Sequence, residues 1–174
     1  MLYVFDVDGT LVEKFGTAPP HFVADKLAFL QSQDNRAAVA TNQAGLAWRL
    51  MTQNAKFPDV TSLAQRFELI ARQLPYLASI PWFISVYDSR VRLRSDQYAA
   101  LAQNLIASFT TLDVYVSADP QWRKPQPGML LAAAAFYSVT PNNVVYVGDF
   151  DTDAEAASQA GTNFSWAEDF FKQV

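Results

Sequence analysis

Two aspartates two positions apart, then a glycine and a hydroxyl, stand near the front of the chain in Asp6-Val7-Asp8-Gly9-Thr10. Like charges this close repel unless a cation or a shared proton relieves them. Such a pair suits a magnesium site, a nucleophile beside an acid/base partner, or both. It equally suits a hairpin turn, because Asp-Gly is a strong turn signal. Three further places carry matching chemistry. Thr41 offers a hydroxyl for an anionic oxygen, with Asn42 and Gln43 beside it. Arg123-Lys124-Pro125 brings a cation that can neutralise a phosphate, and Gly148-Asp149-Phe150-Asp151-Thr152-Asp153 presents more carboxylates. Each has a plainer explanation on its own: a helix cap at Thr41-Asn42, a solvated charge at Lys124, a cap for helix amides at the acidic run. Their order along one chain argues for a single site.

The elements around these residues must bring them together. Met1-Leu2-Tyr3-Val4-Phe5 is a short apolar run and reads as a buried strand. The aspartate pair then lies at its end, where open α/β sheets bind ligands. Phe22, Val23, Lys26, Leu27 and Leu30 follow helical spacing, with Pro19-Pro20 suited to the first turn. The apolar stretch 37–40 leads into Thr41. A helix is predicted to start at Ser62, where Ser62 and Gln65 form a capping-box pattern, with Leu63, Phe67, Ile70 and Leu74 as its stripe. Residues 82–87 and 113–117 are strand candidates, and 96–109 an amphipathic helix. Another helix follows Pro127. Val144-Val145-Tyr146-Val147 is a strand running into Gly148-Asp149, and 151–160 a helix stopped by Gly161. Strands alternating with helices predict an α/β fold, a parallel sheet with helices on both faces.

A chain of 174 residues can bury a full core as one domain, 1–174. With 51% hydrophobic and 17% charged residues it is globular, not disordered. The absence of cysteine excludes disulfides, thiolate zinc sites and cysteine nucleophiles. The single histidine, His21, builds no cluster and reads as a surface residue. No basic stretch leads an apolar segment and no apolar run approaches membrane-spanning length, so a cytoplasmic protein without membrane contact is expected. A net charge of −4 argues against broad nucleic-acid binding. Neither a glycine-rich dinucleotide loop nor a nucleoside-triphosphate loop is present.

The four motifs together resemble those of the haloacid dehalogenase (HAD) superfamily of phosphohydrolases, and they span nearly the whole chain. Asp6-Val7-Asp8-Gly9-Thr10 is similar to the first motif, Thr41 to the second, Lys124 to the third, and Gly148-Asp149 with Asp153 to the fourth. Thr41-Asn42-Gln43 with Gly45, and Arg123-Lys124-Pro125 before Pro127-Gly128-Met129, resemble the class III (HAD-IIIA) branch. That branch includes histidinol-phosphatases, heptose-bisphosphate phosphatases and polynucleotide 3′-phosphatases. A receiver domain, which also sets aspartates, a threonine and a lysine around magnesium, carries its phosphoacceptor on the third strand and fits less well.

The resemblance implies a HAD-like Rossmannoid fold and a magnesium-dependent phosphatase acting through an aspartyl-phosphate. Asp6 would be the nucleophile and Asp8 the acid/base. Asp6, the carbonyl of Asp8, and Asp149 would hold magnesium, with Gly9, Thr10 and Asp153 in support. Thr41, Asn42 and Lys124 would hold the phosphate oxygens. Several class III members carry a cysteine-rich zinc loop; without cysteine, no zinc is expected here. The substrate expected is a small sugar or nucleotide phosphate. The alternatives are a polynucleotide 3′-phosphatase and a non-catalytic phosphate-binding domain on the same fold. The interval between Asp8 and Thr41 leaves no room for a large cap. The interval from Thr41 to Lys124 is longer than one helix and one strand need, so 89–118 is read as a small inserted lobe. The other arrangement keeps 113–117 in the core and moves 82–87 out. Within that stretch Arg90, Arg92 and Arg94 alternate. If extended, they form a row able to grip a second phosphate or a nucleic-acid backbone, or else serve as edge-strand charges that discourage sheet association.

Overall fold

Leu2, Val4 and Phe5 have no solvent exposure, as expected of a strand covered on both faces. The computed structural model describes residues 1–172, and these residues form its first strand, β1 (Leu2–Phe5). Side chains alternate across β1. Leu2 and Val4 join one core with Ala38, Met129 and Ala156, whereas Phe5 joins a second with Val23, Phe67 and Trp82. The remaining elements are α1 (His21–Ser32), β2 (Arg36–Asn42), α2 (Gly45–Thr52), α3 (Val60–Gln73), β3 (Trp82–Ser85) and α4 (Ser95–Ser108), then β4 (Val114–Ser117), α5 (Gly128–Phe136), β5 (Val144–Gly148), α6 (Asp151–Ala160), β6 (Asn163–Trp166) and α7 (Ala167–Lys172).

The six strands make one parallel sheet in the order β4-β3-β2-β1-β5-β6. The chain builds outward from β1 to β4, then crosses to β5 on the other side of β1. That reversal opens a crevice at the carboxyl ends of the central strands. In register, Phe5 lies between Val39 of β2 and Val147 of β5, so Asp6 stands within one residue of Thr41, near the end of β2, and of Asp149, just past β5. The core containing Phe5 is lined by α1, α2, α3, α4 and α7, the other by α5 and α6. Helices therefore cover both faces, as predicted. His21 is exposed at the start of α1. Among the described residues no helix is long and apolar enough to cross a membrane.

Three expectations are corrected. Helix α3 begins at Val60, two residues before Ser62: Asp59 is the N-cap, its Oδ1 accepting the Ser62 N–H at 2.8 Å, while Ser62 Oγ accepts the Asp59 N–H at 3.1 Å. Asp59 outcompetes Ser62 as cap because its carboxylate also meets the positive end of the helix dipole. The expected stripe is nevertheless correct, since Leu63, Phe67, Ile70 and Leu74 are all buried.

Second, 89–118 is not an inserted lobe. Both strand candidates belong to the sheet, with Trp82 opposite Val114 and Ser85 opposite Ser117, and α4 is their crossover helix, burying Tyr98, Leu101 and Leu105. The extra length of the interval is taken up by α4 and β4, a second crossover unit of the sheet, and by α2, which the sequence pattern did not reveal because it is short and opens on Gly45. Third, residues 89–94 form a turn and coil, not a strand. Arg90 pairs with Asp88 at 2.7 Å and Arg94 with Asp96 at 3.0 Å. The row of three aligned guanidinium groups is therefore not formed.

Candidate active site

Asp6 leaves β1 with its backbone still in the ladder, its N–H donating to Val147 O at 3.0 Å. The chain then turns sharply, with the Leu11 N–H on Val7 O and the Gly9 N–H on Val12 O. Gly9 has φ +81, and a Cβ there would lie 2.0 Å from Asp149 Oδ2. Only glycine lets the two aspartate-bearing loops approach this closely. Gly148 serves the same end on β5, where a Cβ would lie 2.6 Å from the Asp153 side chain. Thr10 belongs to the turn; its buried hydroxyl has no hydrogen-bond partner among the described residues.

Lys124 is the centre of the charge network. Its backbone is clamped to the end of β2 by Asn42, whose Oδ1 accepts the Lys124 N–H at 3.1 Å and whose Nδ2 donates to Lys124 O at 3.2 Å. The ammonium reaches Asp6 Oδ1 at 2.9 Å, Asp153 Oδ1 at 2.6 Å and the Tyr146 hydroxyl at 2.7 Å. Asp153 also caps α6, its Oδ2 accepting the N–H groups of Asp149 and Phe150. Asp6, Lys124 and Asp153 are all buried. Burial pushes the Asp6 carboxyl up to about 6, against the pull of Lys124 and with the help of the Asp153 charge. Burial opposes the Lys124 charge, but Asp6 and Asp153 outweigh it and raise the ammonium above its usual range. One ammonium between two carboxylates leaves the site short of positive charge.

Asp8 sits in different company. The Arg66 guanidinium on α3 pairs with its Oδ1 at 2.5 Å. The Phe15 N–H donates to the same oxygen at 2.8 Å, and Gln43 Nε2 to Oδ2 at 3.1 Å. Burial works against its charge, yet Arg66 and these donors hold the carboxyl below the usual range. Gln43 Nε2 also donates to Thr41 Oγ1 at 3.1 Å, so one side chain ties Thr41 to Asp8. A cavity of ≈ 180 Å³ opens over the group, walled by Asp6, Asp8, Thr41, Asn42, Lys124, Asp149 and Asp153. Every expected catalytic, phosphate-binding and metal-binding residue thus faces one space; Gly9 and Thr10 stand behind it in the turn.

Carboxylate oxygens of Asp6, Asp149 and Asp153 lie within 4.8 Å of one another. Burial and the Asp153 charge raise the Asp149 carboxyl above its usual range. An all-oxygen donor set of this kind fits a hard ion such as magnesium.

The HAD-hydrolase-like family model matches residues 121–166, a span that holds Lys124, Asp149 and Asp153. A phosphoglycolate phosphatase from Cereibacter sphaeroides (strain ATCC 17025 / ATH 2.4.3) is 30% identical over 187 residues, covering 93% of this chain and 82% of that protein. The chain belongs to the HAD superfamily, as one of its phosphatases. Solved structures share the fold. D,D-heptose 1,7-bisphosphate phosphatase from B. bronchiseptica, complexed with magnesium and phosphate, matches with a TM-score of 0.59 at 23% identity, over 94% of this chain and 78% of that one. A HAD-like phosphatase from Mesorhizobium loti matches with a TM-score of 0.54 at 18% identity, over 92% and 68%.

Sequence reasoning missed three residues of this candidate site. Arg66 flanks the apolar stripe of α3 and gave no signal, since only the packing of α3 brings it to Asp8. Gln43 was visible in the motif wording but not as the link between Thr41 and Asp8. Tyr146 left one trace, a hydroxyl inside an otherwise apolar strand, which must find a partner when buried.

Proposed function

We propose that this chain is a magnesium-dependent phosphomonoesterase working through an aspartyl-phosphate on Asp6, with a small sugar or nucleotide phosphate as substrate. The observation that carries the reading is the pairing of two unlike carboxylates at one cavity: Asp6 facing the carboxylate cluster, Asp8 fixed two residues on by Arg66, Gln43 and the Phe15 amide. A carboxylate oxygen of Asp6 attacks phosphorus, and the ester P–O bond breaks as Asp8, protonated once the incoming substrate loosens its pairing with Arg66, delivers that proton to the leaving oxygen. Asp8, now a carboxylate, takes a proton from water, whose oxygen displaces Asp6 from phosphorus. Phosphate leaves and both aspartates return to their starting states. Splitting the displacement in this way lowers each barrier. Magnesium, held by Asp6, Asp149 and the Asp8 carbonyl with Asp153 in support, would offset the charge of phosphate and carboxylates when bound. Thr41 and Lys124 would hold the remaining phosphate oxygens, with Asn42 keeping the Lys124 loop in place.

A small substrate is supported by the ≈ 180 Å³ cavity. The names of the phosphoglycolate and heptose-bisphosphate phosphatases point the same way. The test is hydrolysis of an aryl phosphate with magnesium and with excess chelator, followed by a screen of sugar phosphates, nucleotides and a 3′-phosphorylated oligonucleotide at two salt concentrations. Turnover that survives chelation would remove the metal from the mechanism. A salt-sensitive preference for the oligonucleotide would replace the proposed substrate class.

A further inference from the structure

An ammonium has three N–H donors, and at Lys124 all three are engaged, by Asp6, Asp153 and the Tyr146 hydroxyl. To hold a phosphate oxygen, Lys124 must release one of them. Asp153 is poorly suited to let go: it is 1% exposed and fastens two backbone amides at the start of α6. Both carboxylates line the cavity, but Asp6 is the more exposed of the two at 7%, and its oxygens are wanted there for phosphorus. The exchange therefore happens at Asp6, and the ammonium must stay aimed while it happens.

Tyr146 is built to hold it. Its ring lies in the middle of β5 with no exposure, in a core with Met129, Ala133 and Ala156. Its hydroxyl donates to Asp153 Oδ1 at 2.9 Å, with Ala40 O a second acceptor at 3.2 Å, so its lone pair is left to receive Lys124. No step of the proposed chemistry uses this group. We infer that Tyr146 is a positioning residue, a rigid post whose hydroxyl keeps the Lys124 ammonium directed at the phosphate as Asp6 releases it. The inference rests on Lys124 binding phosphate, as proposed above.

The test measures orthophosphate affinity by calorimetry, and KM and kcat for an aryl phosphate, in Tyr146→Phe, Lys124→Ala, the double variant and Tyr137→Phe. Tyr137 is a control of the same kind, its hydroxyl donating to Ala37 O at 2.8 Å away from the cavity. Tyr146→Phe should weaken phosphate binding and raise KM about tenfold, the usual worth of one hydrogen bond to a charged group, with a smaller fall in kcat. The double variant should bind phosphate no worse than Lys124→Ala alone, because the two residues act as one unit. Tyr137→Phe should leave affinity and KM unchanged. Tyr146→Phe binding phosphate within twofold of the parent, or weakening it equally in the Lys124→Ala background, overturns the inference. If Lys124→Ala itself binds phosphate normally, the assignment of Lys124 falls, and this inference with it. A measurement without substitution covers a Tyr146→Phe chain that does not fold: the nuclear Overhauser contact between Lys124 Hε and the Tyr146 ring should persist when orthophosphate binds, and its loss overturns the inference.

Discussion

Asp6 and Glu68 are both carboxylates with 7% exposure, and their surroundings are opposite. Glu68, on α3, is met by hydrogen-bond donors alone: the N–H groups of Thr110, Thr111 and Leu112 and the hydroxyls of Thr110 and Thr111. Burial opposes its charge, but the Thr111 hydroxyl and these amides outweigh it and hold the carboxyl at about 2. Such a carboxylate has donors on both oxygens and pins α3 to the turn before β4. Asp6 instead shares a single ammonium with Asp153, and burial pushes it up to about 6. Burial alone therefore does not mark a functional acid. Incomplete compensation beside an open cavity does, because the unsatisfied charge is what a cation and an electrophilic phosphorus would answer. Asp88, buried yet met by Arg90, Arg123 and Trp48, falls on the structural side with Glu68.

The contrast is sharpest in function. Asp6→Asn should lower turnover by ~10³-fold or more while leaving the melting temperature almost unchanged, since size is kept and the nucleophilic charge is removed. Near-normal turnover in this variant would break the comparison outright. Asp8→Asn should lose about 10²–10⁴-fold from the missing acid/base work. With a good leaving group it should also accumulate a phospho-adduct, visible as an increased intact mass, because water activation fails as well.

Glu68→Gln should do the reverse. Turnover per folded molecule stays as it was, and stability in urea falls by ~2 kcal/mol as charge-assisted bonds become neutral ones. The pH dependence follows from the sign of the shift. Glu68 titrates at about 2 in the folded chain, against roughly 4.3 unfolded, so folding binds fewer protons in that window. Its contribution is complete above about pH 4.5 and fades as pH falls toward 2, so the stability curves of parent and Glu68→Gln should converge there. The smallest effect is expected at the surface. Replacing Arg90, Arg92 and Arg94 together by alanine should leave small-phosphate turnover within about twofold at low and high salt. A salt-dependent loss would restore those arginines to the substrate.

The parts of the site written as strand ends were readable because an apolar run followed by a carboxylate or hydroxyl has few alternatives. Asp6, Thr41 and Asp149 all follow such runs, and the parallel register brings them within one residue of one another. Residues that reach the site from helices were not readable. Arg66 flanks the apolar stripe of α3 as a charge among core positions, and only the seating of α3 on the sheet turns its guanidinium to Asp8. The inserted-lobe reading failed for a related reason. Strand β4 lies at the sheet edge with half-exposed side chains, so its pattern was too weak to claim a place beside β3.

Sequence alone determined the chemistry available to this protein: four motifs in order, oxygen donors without cysteine, a parallel α/β frame and the strand ends that carry the carboxylates. These are local properties, set by residue type, run length and spacing. Which carboxylate is left short of positive charge was decided only by the tertiary structure. It placed one lysine between Asp6 and Asp153, set the Tyr146 hydroxyl against it, gave Arg66 to Asp8 and met both oxygens of Glu68 with amides and hydroxyls. Charge compensation in a low-dielectric interior depends on neighbours distant in the chain, and no local pattern records who those neighbours are.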